Sequence, residues 1–274
     1  MASAPFRYSY DSTAGQGTCI YIIDSGVYTG HNEFAGRATF VQNYVYGETG
    51  DDLSGHGTAV AGAAAGAQYG VAKAAQIYSI KVCNQAGNCD VSSVVAAISR
   101  ATNDARGRSC PNGVVLNLSL GGPSAGWQSV RDAVVAATQA GAFVVAAAGN
   151  DRANVNNYLP ASAAGACSVG ATDQNDVIWP NSNIGSSLAV FAPGVGIQTA
   201  ALGNSGASAF ADGTSMSAPF VAGVGAYLWS KDGKGTSGAP GVALCTKIKN
   251  TAITNAVGGN LGGSPNRLAW NGMQ

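Results

Sequence analysis

The chain has 274 residues, of which 46% are hydrophobic and only 10% charged, and its 14 Lys and Arg offset 14 Asp and Glu. A neutral, apolar chain of this kind is not a disordered one. It carries no basic stretch to bind nucleic acid by electrostatics, and no apolar run approaches the ~20 residues of a membrane-spanning helix. The length suits one large domain burying about three quarters of its unfolded surface. No repeat or low-complexity linker divides it, so residues 1–274 read as a single domain.

Apolar, strand-like segments fall at 18–23, 76–82, 114–120, 142–148, 166–170 and 188–191. Several are apolar at both alternating positions, the mark of a parallel sheet covered on both faces. Between them lie Ala-rich helical segments at 56–66, 91–104, 127–140, 215–231 and 242–250. Val94, Ile98 and Ala101 form one apolar stripe, and Val130, Val134 and Ala137 another. Strands alternating with helices predict an α/β fold: a doubly wound, mostly parallel sheet with helices on both faces. The Gly/Ser/Lys-rich stretch 231–240 reads as a surface loop, and residues 1–9 as an N-terminal extension. Met1-Ala2-Ser3 lacks the basic flank and apolar run of a signal peptide, so Met1 reads as a start added to a mature fragment. Six cysteines, an even number, and few charges point to an exported, disulfide-bonded protein, with the pairing left open by the count.

In open α/β sheets, sites form at the carboxyl ends of the strands. Four segments put polar groups there. Ile20-Tyr21-Ile22-Ile23 runs into Asp24-Ser25-Gly26, for which a turn-forming aspartate is the plain alternative. Gly55-His56-Gly57-Thr58 starts a small-residue helix with one of only 2 histidines. The other, His31, sits in a polar loop segment and reads as structural. Val144-Val145-Ala146-Ala147-Ala148-Gly149-Asn150 ends a buried strand in a carboxamide. Gly213-Thr214-Ser215-Met216 opens an apolar helix, where a serine is ordinarily an N-cap. It also lies at the positive end of a helix dipole, which favours a developing oxyanion. A serine nucleophile needs an adjacent base, and the base a carboxylate to orient it. Asp, His, Asn and Ser occur here in the chain order of the subtilisin arrangement.

With Leu118-Ser119-Leu120-Gly121-Gly122 added, these blocks resemble the subtilisin-like serine protease family from about Tyr10 to the C-terminus. Gly15-Gln16-Gly17-Thr18-Cys19, Tyr69-Gly70-Val71-Ala72-Lys73 and Cys110-Pro111 resemble its proteinase K-like branch. The resemblance implies a secreted endopeptidase in which Ser215 is nucleophile, His56 base, Asp24 orienting carboxylate, and Asn150 the oxyanion donor beside the Ser215 amide. It implies substrate held as an extended strand between Gly87-Asn88-Cys89 and Ser119-Leu120-Gly121. The first pocket would be walled by 119–121 and by Ala147, Ala148 and Gly149, with Tyr158 nearby. Those walls hold no acidic residue, which predicts a preference for neutral aliphatic or aromatic side chains. The expected partners are polypeptide substrates and proteinaceous inhibitors, without nucleic acid or membrane, for a monomeric chain.

The resemblance pairs Cys19 with Cys110 and Cys167 with Cys245. That leaves Cys83 and Cys89, which a short turn brings within disulfide range; the free cysteine common in this branch is Val60 here. Two histidines usual in the family are replaced by Ala59 and Phe220. Ala189 stands where the branch has an aspartate of its calcium site, which leaves structural calcium doubtful; the resemblance implies no cofactor for the chemistry itself. The sequon Asn117-Leu118-Ser119 lies in a buried strand and reads as unglycosylated.

Rival readings are weaker. A catalytically impaired relative that only binds is the main one. A dinucleotide-binding protein would need its glycine-rich turn after a strand, but Gly15-Gln16-Gly17 precedes one. A lipase-type elbow would need a second glycine after Ser215.

Overall fold

A computed structural model describes residues 8–235 and 238–273. Its main sheet is built from β1 (Thr18–Asp24), β2 (Ala38–Asn43), β3 (Gln76–Lys81) and β4 (Gly113–Leu118). Two residues at β5 (Gly122–Pro123) leave that sheet, which continues with β6 (Phe143–Ala147). Another two at β7 (Tyr158–Leu159) pair with β5, and β8 (Cys167–Thr172) and β9 (Val190–Pro193) rejoin the sheet. Strands β10 (Ile197–Ala200) and β11 (Ser208–Ala211) form a separate antiparallel pair, and β12 (Ile253–Thr254) and β13 (Arg267–Leu268) finish one sheet edge. Helices α1 (His56–Ala65), α2 (Val91–Asp104), α3 (Gln128–Gln139), α4 (Thr214–Asp232) and α5 (Pro240–Thr251) complete the fold.

The sheet order is β12-β13-β9-β8-β6-β4-β1-β3-β2, and every pairing from β9 to β2 is parallel. Every residue of β1 and of β6 is buried, as their continuous apolar runs predict. Helices α1 and α4 pack on one face and α2 and α3 on the other, each face with its own apolar core. Helix α4 is buried from Thr214 to Trp229 except at half-buried Ser215 and Phe220, so no stripe marks it in the sequence. Its small residues allow close approach: a Cβ on Gly223 would lie 2.6 Å from the Ala64 carbonyl of α1.

The doubly wound expectation is met, with element ends displaced by a few residues. Edge strand β2 is mostly half-exposed or exposed and carries no apolar run, which hid it from periodicity. The 231–240 loop is shorter than expected, because α4 continues through Asp232 and α5 begins at Pro240; residues 236–237 of it, like residues 1–7 of the extension, lie outside the described residues. Cys19–Cys110, Cys83–Cys89 and Cys167–Cys245 are all bonded. Val60 is fully buried in the core. The chain leaves β1 toward β3 and β2, then crosses back to β4 on the other side. The crevice this creates lies at the carboxyl ends of β1, β4 and β6.

Candidate active site

Asp24 is the last residue of β1, with its side chain only 1% exposed. Its Oδ1 accepts from the Ser25 amide at 2.7 Å and from His56 Nδ1 at 2.7 Å. Asp24 Oδ2 has no hydrogen-bond partner among the described residues. A buried carboxylate so poorly compensated acts on its nearest cation. The negative charge of Asp24 raises the His56 pKa above the ordinary histidine value, against the opposing effect of burial, with Asp52 adding to the rise.

His56 is the first residue of α1, and two groups absent from the sequence reading hold that helix start. Asp52, 5% exposed, accepts through Oδ1 from Ser25 Oγ, Ser54 N and Gly55 N, and through Oδ2 from Thr58 N and Thr58 Oγ1. Ser25 Oγ in turn accepts from the Gly57 amide at 2.9 Å. The first-turn amides that a helix cannot satisfy internally are thus met by Asp52 and Ser25. The imidazole is fixed because the helix carrying it is. Asp52 precedes the helix by a loop rather than by one residue, which a capping rule does not anticipate.

Ser215 lies in the first turn of α4, after Gly213 at φ 137. Its Oγ donates to the Ser119 carbonyl at 3.4 Å, and no hydrogen bond links it to His56. Ser119 Oγ returns the contact, donating to the Ser215 carbonyl at 2.8 Å and accepting from Asn117 Nδ2. That carbonyl is available because Pro219, four residues on, has no N–H to bond it. The Ser215 amide donates to no other described residue.

Asn150 completes this corner. Its Oδ1 accepts from Thr214 N at 3.0 Å and Thr214 Oγ1 at 2.7 Å. The network therefore assigns oxygen to that side and leaves Nδ2 without a partner among the described residues. Gly149, at φ 102, makes the turn that brings Asn150 there.

Two cavities share the residues 119–121. One, of about 450 Å³, is lined by Asp24, His56, Gly87, Asn88, Cys89, Ser119, Leu120, Gly121 and Trp127. The other, of about 250 Å³, is lined by Ser119, Leu120, Gly121, Ala147, Ala148, Gly149, Asn150, Asp151, Tyr158 and Ser215. The sequence-predicted residues therefore gather along one groove. Asp151 is an addition: the predicted walls held no acid, yet this carboxylate lines the second cavity. Burial and the charge of Asp151 both push the Tyr158 phenol upward.

His31 is buried and both ring nitrogens are committed, Nδ1 accepting from Glu33 N and Nε2 donating to Ala207 O. This is the structural role read for it. Ala189 is buried in the apolar core, and its side chain offers no oxygen to a cation. Among the described residues no group of three or more His, Cys, Asp or Glu is placed to hold a metal ion. Asn117 is fully buried, as expected of a sequon inside a strand. No described helix is long and apolar enough to cross a membrane.

Comparison with known proteins gives the family of the chain. The profile of the subtilase family, Peptidase S8, matches residues 15–270, and the chain belongs to that family of serine peptidases. Within it, the similar curated proteins are fungal proteases of the proteinase K type. The chain is 45% identical to Proteinase T of Parengyodontium album over 221 residues, 81% of this chain and 74% of that one. It is 41% identical to a cuticle-degrading protease of Metarhizium anisopliae over 265 residues, 97% of this chain and 66% of that one. The chain thus spans about two thirds of the length of several curated relatives that it matches. Among solved structures, a cold adapted subtilisin-like serine proteinase superposes with a TM-score of 0.87 at 32% identity, covering 100% of this chain and 96% of that one.

Proposed function

We propose that this chain is a secreted serine endopeptidase that cuts polypeptides through an acyl-enzyme. The observation that carries the reading is the 2.7 Å contact of His56 Nδ1 with buried Asp24. It fixes the ring so that Nε2 is the nitrogen left to take a proton. In the proposed cycle the Ser215 hydroxyl turns from the Ser119 carbonyl to His56 Nε2, gives up its proton there, and attacks the scissile carbonyl carbon. The resulting oxyanion is held by Asn150 Nδ2 and the Ser215 amide, both unpartnered in the described structure. The C–N bond then breaks as His56 returns the proton to the leaving amine. Water repeats the sequence on the Ser215 ester to release the acid. Asp24 stabilises the imidazolium in both halves. The chain's own groups supply every proton transfer, so the reading calls for no cofactor, and a chelator should leave the rate unchanged.

Substrate would lie extended between 87–89 and 119–121, its backbone paired with both edges, which favours broad sequence tolerance. The cavity around Ala147, Ala148 and Gly149 would take neutral aliphatic or aromatic side chains, with Asp151 the one acidic lining group. Three disulfides and the similarity to cuticle-degrading proteases support an extracellular location. Proteinaceous inhibitors that mimic an extended substrate are the expected partners of a monomeric enzyme, with no role for nucleic acid or membrane.

The decisive test compares the parent with Ser215→Ala on casein and a chromogenic peptide. The parent should cleave both and be irreversibly inactivated by a serine-directed sulfonyl fluoride; the variant should lose about 10⁶-fold in kcat. A second reading, a fold that binds peptides without cutting them, draws on the Ser215 hydroxyl being bonded to Ser119 rather than His56. A parent that binds peptide yet yields neither cleavage nor a covalent sulfonyl adduct would favour it.

A further inference from the structure

One wall of the groove, the segment 83–89, is held together from within. Cys83 and Cys89 are disulfide-bonded. Asn84 Oδ1 accepts from the Ala86 and Asn88 amides, and backbone bonds join Asn84 to Gly87 and Asn88. These bonds fix the shape of the turn but not its position, because Gln85, Ala86, Gly87 and Asn88 are all exposed.

At its base the turn is rooted by Cys83, which is buried and donates its amide to the Asp24 carbonyl at 3.2 Å; its exposed arm is tied to the body of the protein by Glu48. Its Oε1 accepts from the Gln85 amide at 3.0 Å, and its Oε2 lies 3.0 Å from Lys81 Nζ. Lys81 is fully buried and also donates to the Ser25 carbonyl at 2.7 Å. Ser25 is the residue whose amide holds Asp24 and whose hydroxyl holds the start of the His56 helix. Glu48 is delivered by a local device: Asn43, at the end of β2, folds the chain back by donating to the Glu48 carbonyl at 2.8 Å and accepting from Val45 N. A half-buried carboxylate thus has one oxygen on the groove wall and the other on the lysine that braces the triad strand.

We propose that Glu48 is a positioning residue for extended substrates, setting where the disulfide-closed turn 83–89 stands against the substrate groove. The inference rests on the protease reading above and goes beyond it. Glu48 touches no substrate. It acts through the Gln85 amide on Gly87, Asn88 and Cys89, which line the cavity beside His56. Its two oxygens have separable duties. The Gln85 contact needs only an acceptor. The Lys81 contact needs a negative charge, since a buried ammonium left unpaired is costly.

The chemistry of the substitutions separates them. Parent, Glu48→Ala and Glu48→Gln are each counted by titration with a serine-directed sulfonyl fluoride, so only competent sites enter the rates. Each is assayed on an anilide of a single acylated phenylalanine and on an acylated tetrapeptide anilide ending in phenylalanine. Removing the acceptor in Glu48→Ala should lower the tetrapeptide-to-single-residue ratio of kcat/KM about tenfold, through KM, the worth of roughly one hydrogen bond. Glu48→Gln keeps an acceptor for Gln85 and should hold the ratio within about twofold of the parent, while its lost charge lowers Tm. A Glu48→Ala ratio equal to the parent's, or a Glu48→Gln ratio as low as that of Glu48→Ala, would overturn the proposal. If Glu48→Ala does not fold, Gln85→Pro removes the donor and leaves the Glu48–Lys81 pair in place; it must lower the ratio likewise, and an unchanged ratio refutes the role. A parent that cuts neither anilide and takes up no sulfonyl group overturns the protease reading itself, a failure distinct from an unchanged ratio in an active parent.

Discussion

The two walls of the groove are built by opposite means. The 119–121 wall leaves the buried strand β4 and is tied at once to remote parts of the chain. Ser119 exchanges hydrogen bonds with Ser215 across 96 positions, and Gly122 pairs with Leu159. The 83–89 wall is more local: beyond its root at Cys83, whose amide bonds to the Asp24 carbonyl, it closes on itself within 6 positions and leans on Glu48. On the proposed mechanism a wall bonded directly to Ser215 should, when perturbed, show the change in kcat. The exposed arm of a locally closed wall touches neither Ser215 nor His56, so its perturbation should appear in KM for long substrates.

The largest expected effect is on the packed side. Asn150→Ala removes the carboxamide that faces the cavity and should cut kcat by about 10²–10³, some 3–4 kcal/mol, with little change in KM. A loss confined to KM would place Asn150 in binding only. Next, Asp52→Ala strands the donors at the start of α1 and should cost about 2–4 kcal/mol in stability. Denaturant unfolding reads that loss, and kcat should fall with it because His56 rides on the same helix. On the local side, the paired change Cys83→Ser and Cys89→Ser removes a short-loop constraint of about 2–3 kcal/mol on the unfolded chain. It should raise KM for tetrapeptides several-fold and leave kcat for single-residue esters unchanged; an equal loss on both substrates would erase the distinction between the walls.

The pH profile sharpens it further. In the proposed cycle His56 must be neutral to accept a proton, and Asp24 holds its pKa above the ordinary value of about 6.5. Log kcat should therefore rise with pH and level off above that raised pKa, for short and long substrates alike. Protonated His56 also stabilises the fold. That contribution is fully present below the unfolded pKa and lost as pH rises through the folded one, so it declines where activity grows. His56→Ala should abolish this pH-dependent part of stability. The smallest effect is at the second cavity. Asp151→Asn should lower kcat/KM for lysine at the first position about threefold and leave phenylalanine unchanged, since an exposed ion pair is worth about 0–1 kcal/mol.

Much of this molecule was legible in its residues. Continuous apolar runs marked the central strands because a parallel sheet hides both faces. Asp24, His56, Asn150 and Ser215 could be singled out because each stands at a strand end or helix start near small residues, and the structure brings them to one groove. Strand β2 was not, because an edge strand with half its surface in water carries no apolar signature. Nor was Lys81 as a brace: a lone charge within 76–82 gives no sign of whether it snorkels to water or finds a buried carbonyl.

Local order followed from the sequence alone: which segments become strands and helices, and which side chains carry reactive groups. Backbone periodicity and residue chemistry act over a few positions, and the chain records them directly. Only the folded arrangement decided that Asp52 caps the His56 helix, that Pro219 frees a carbonyl for Ser119, that Asp151 reaches the second cavity, and that Glu48 joins a groove wall to buried Lys81. Those contacts join residues distant in the chain or set across loops, and their existence depends on distances that no spacing in the sequence encodes.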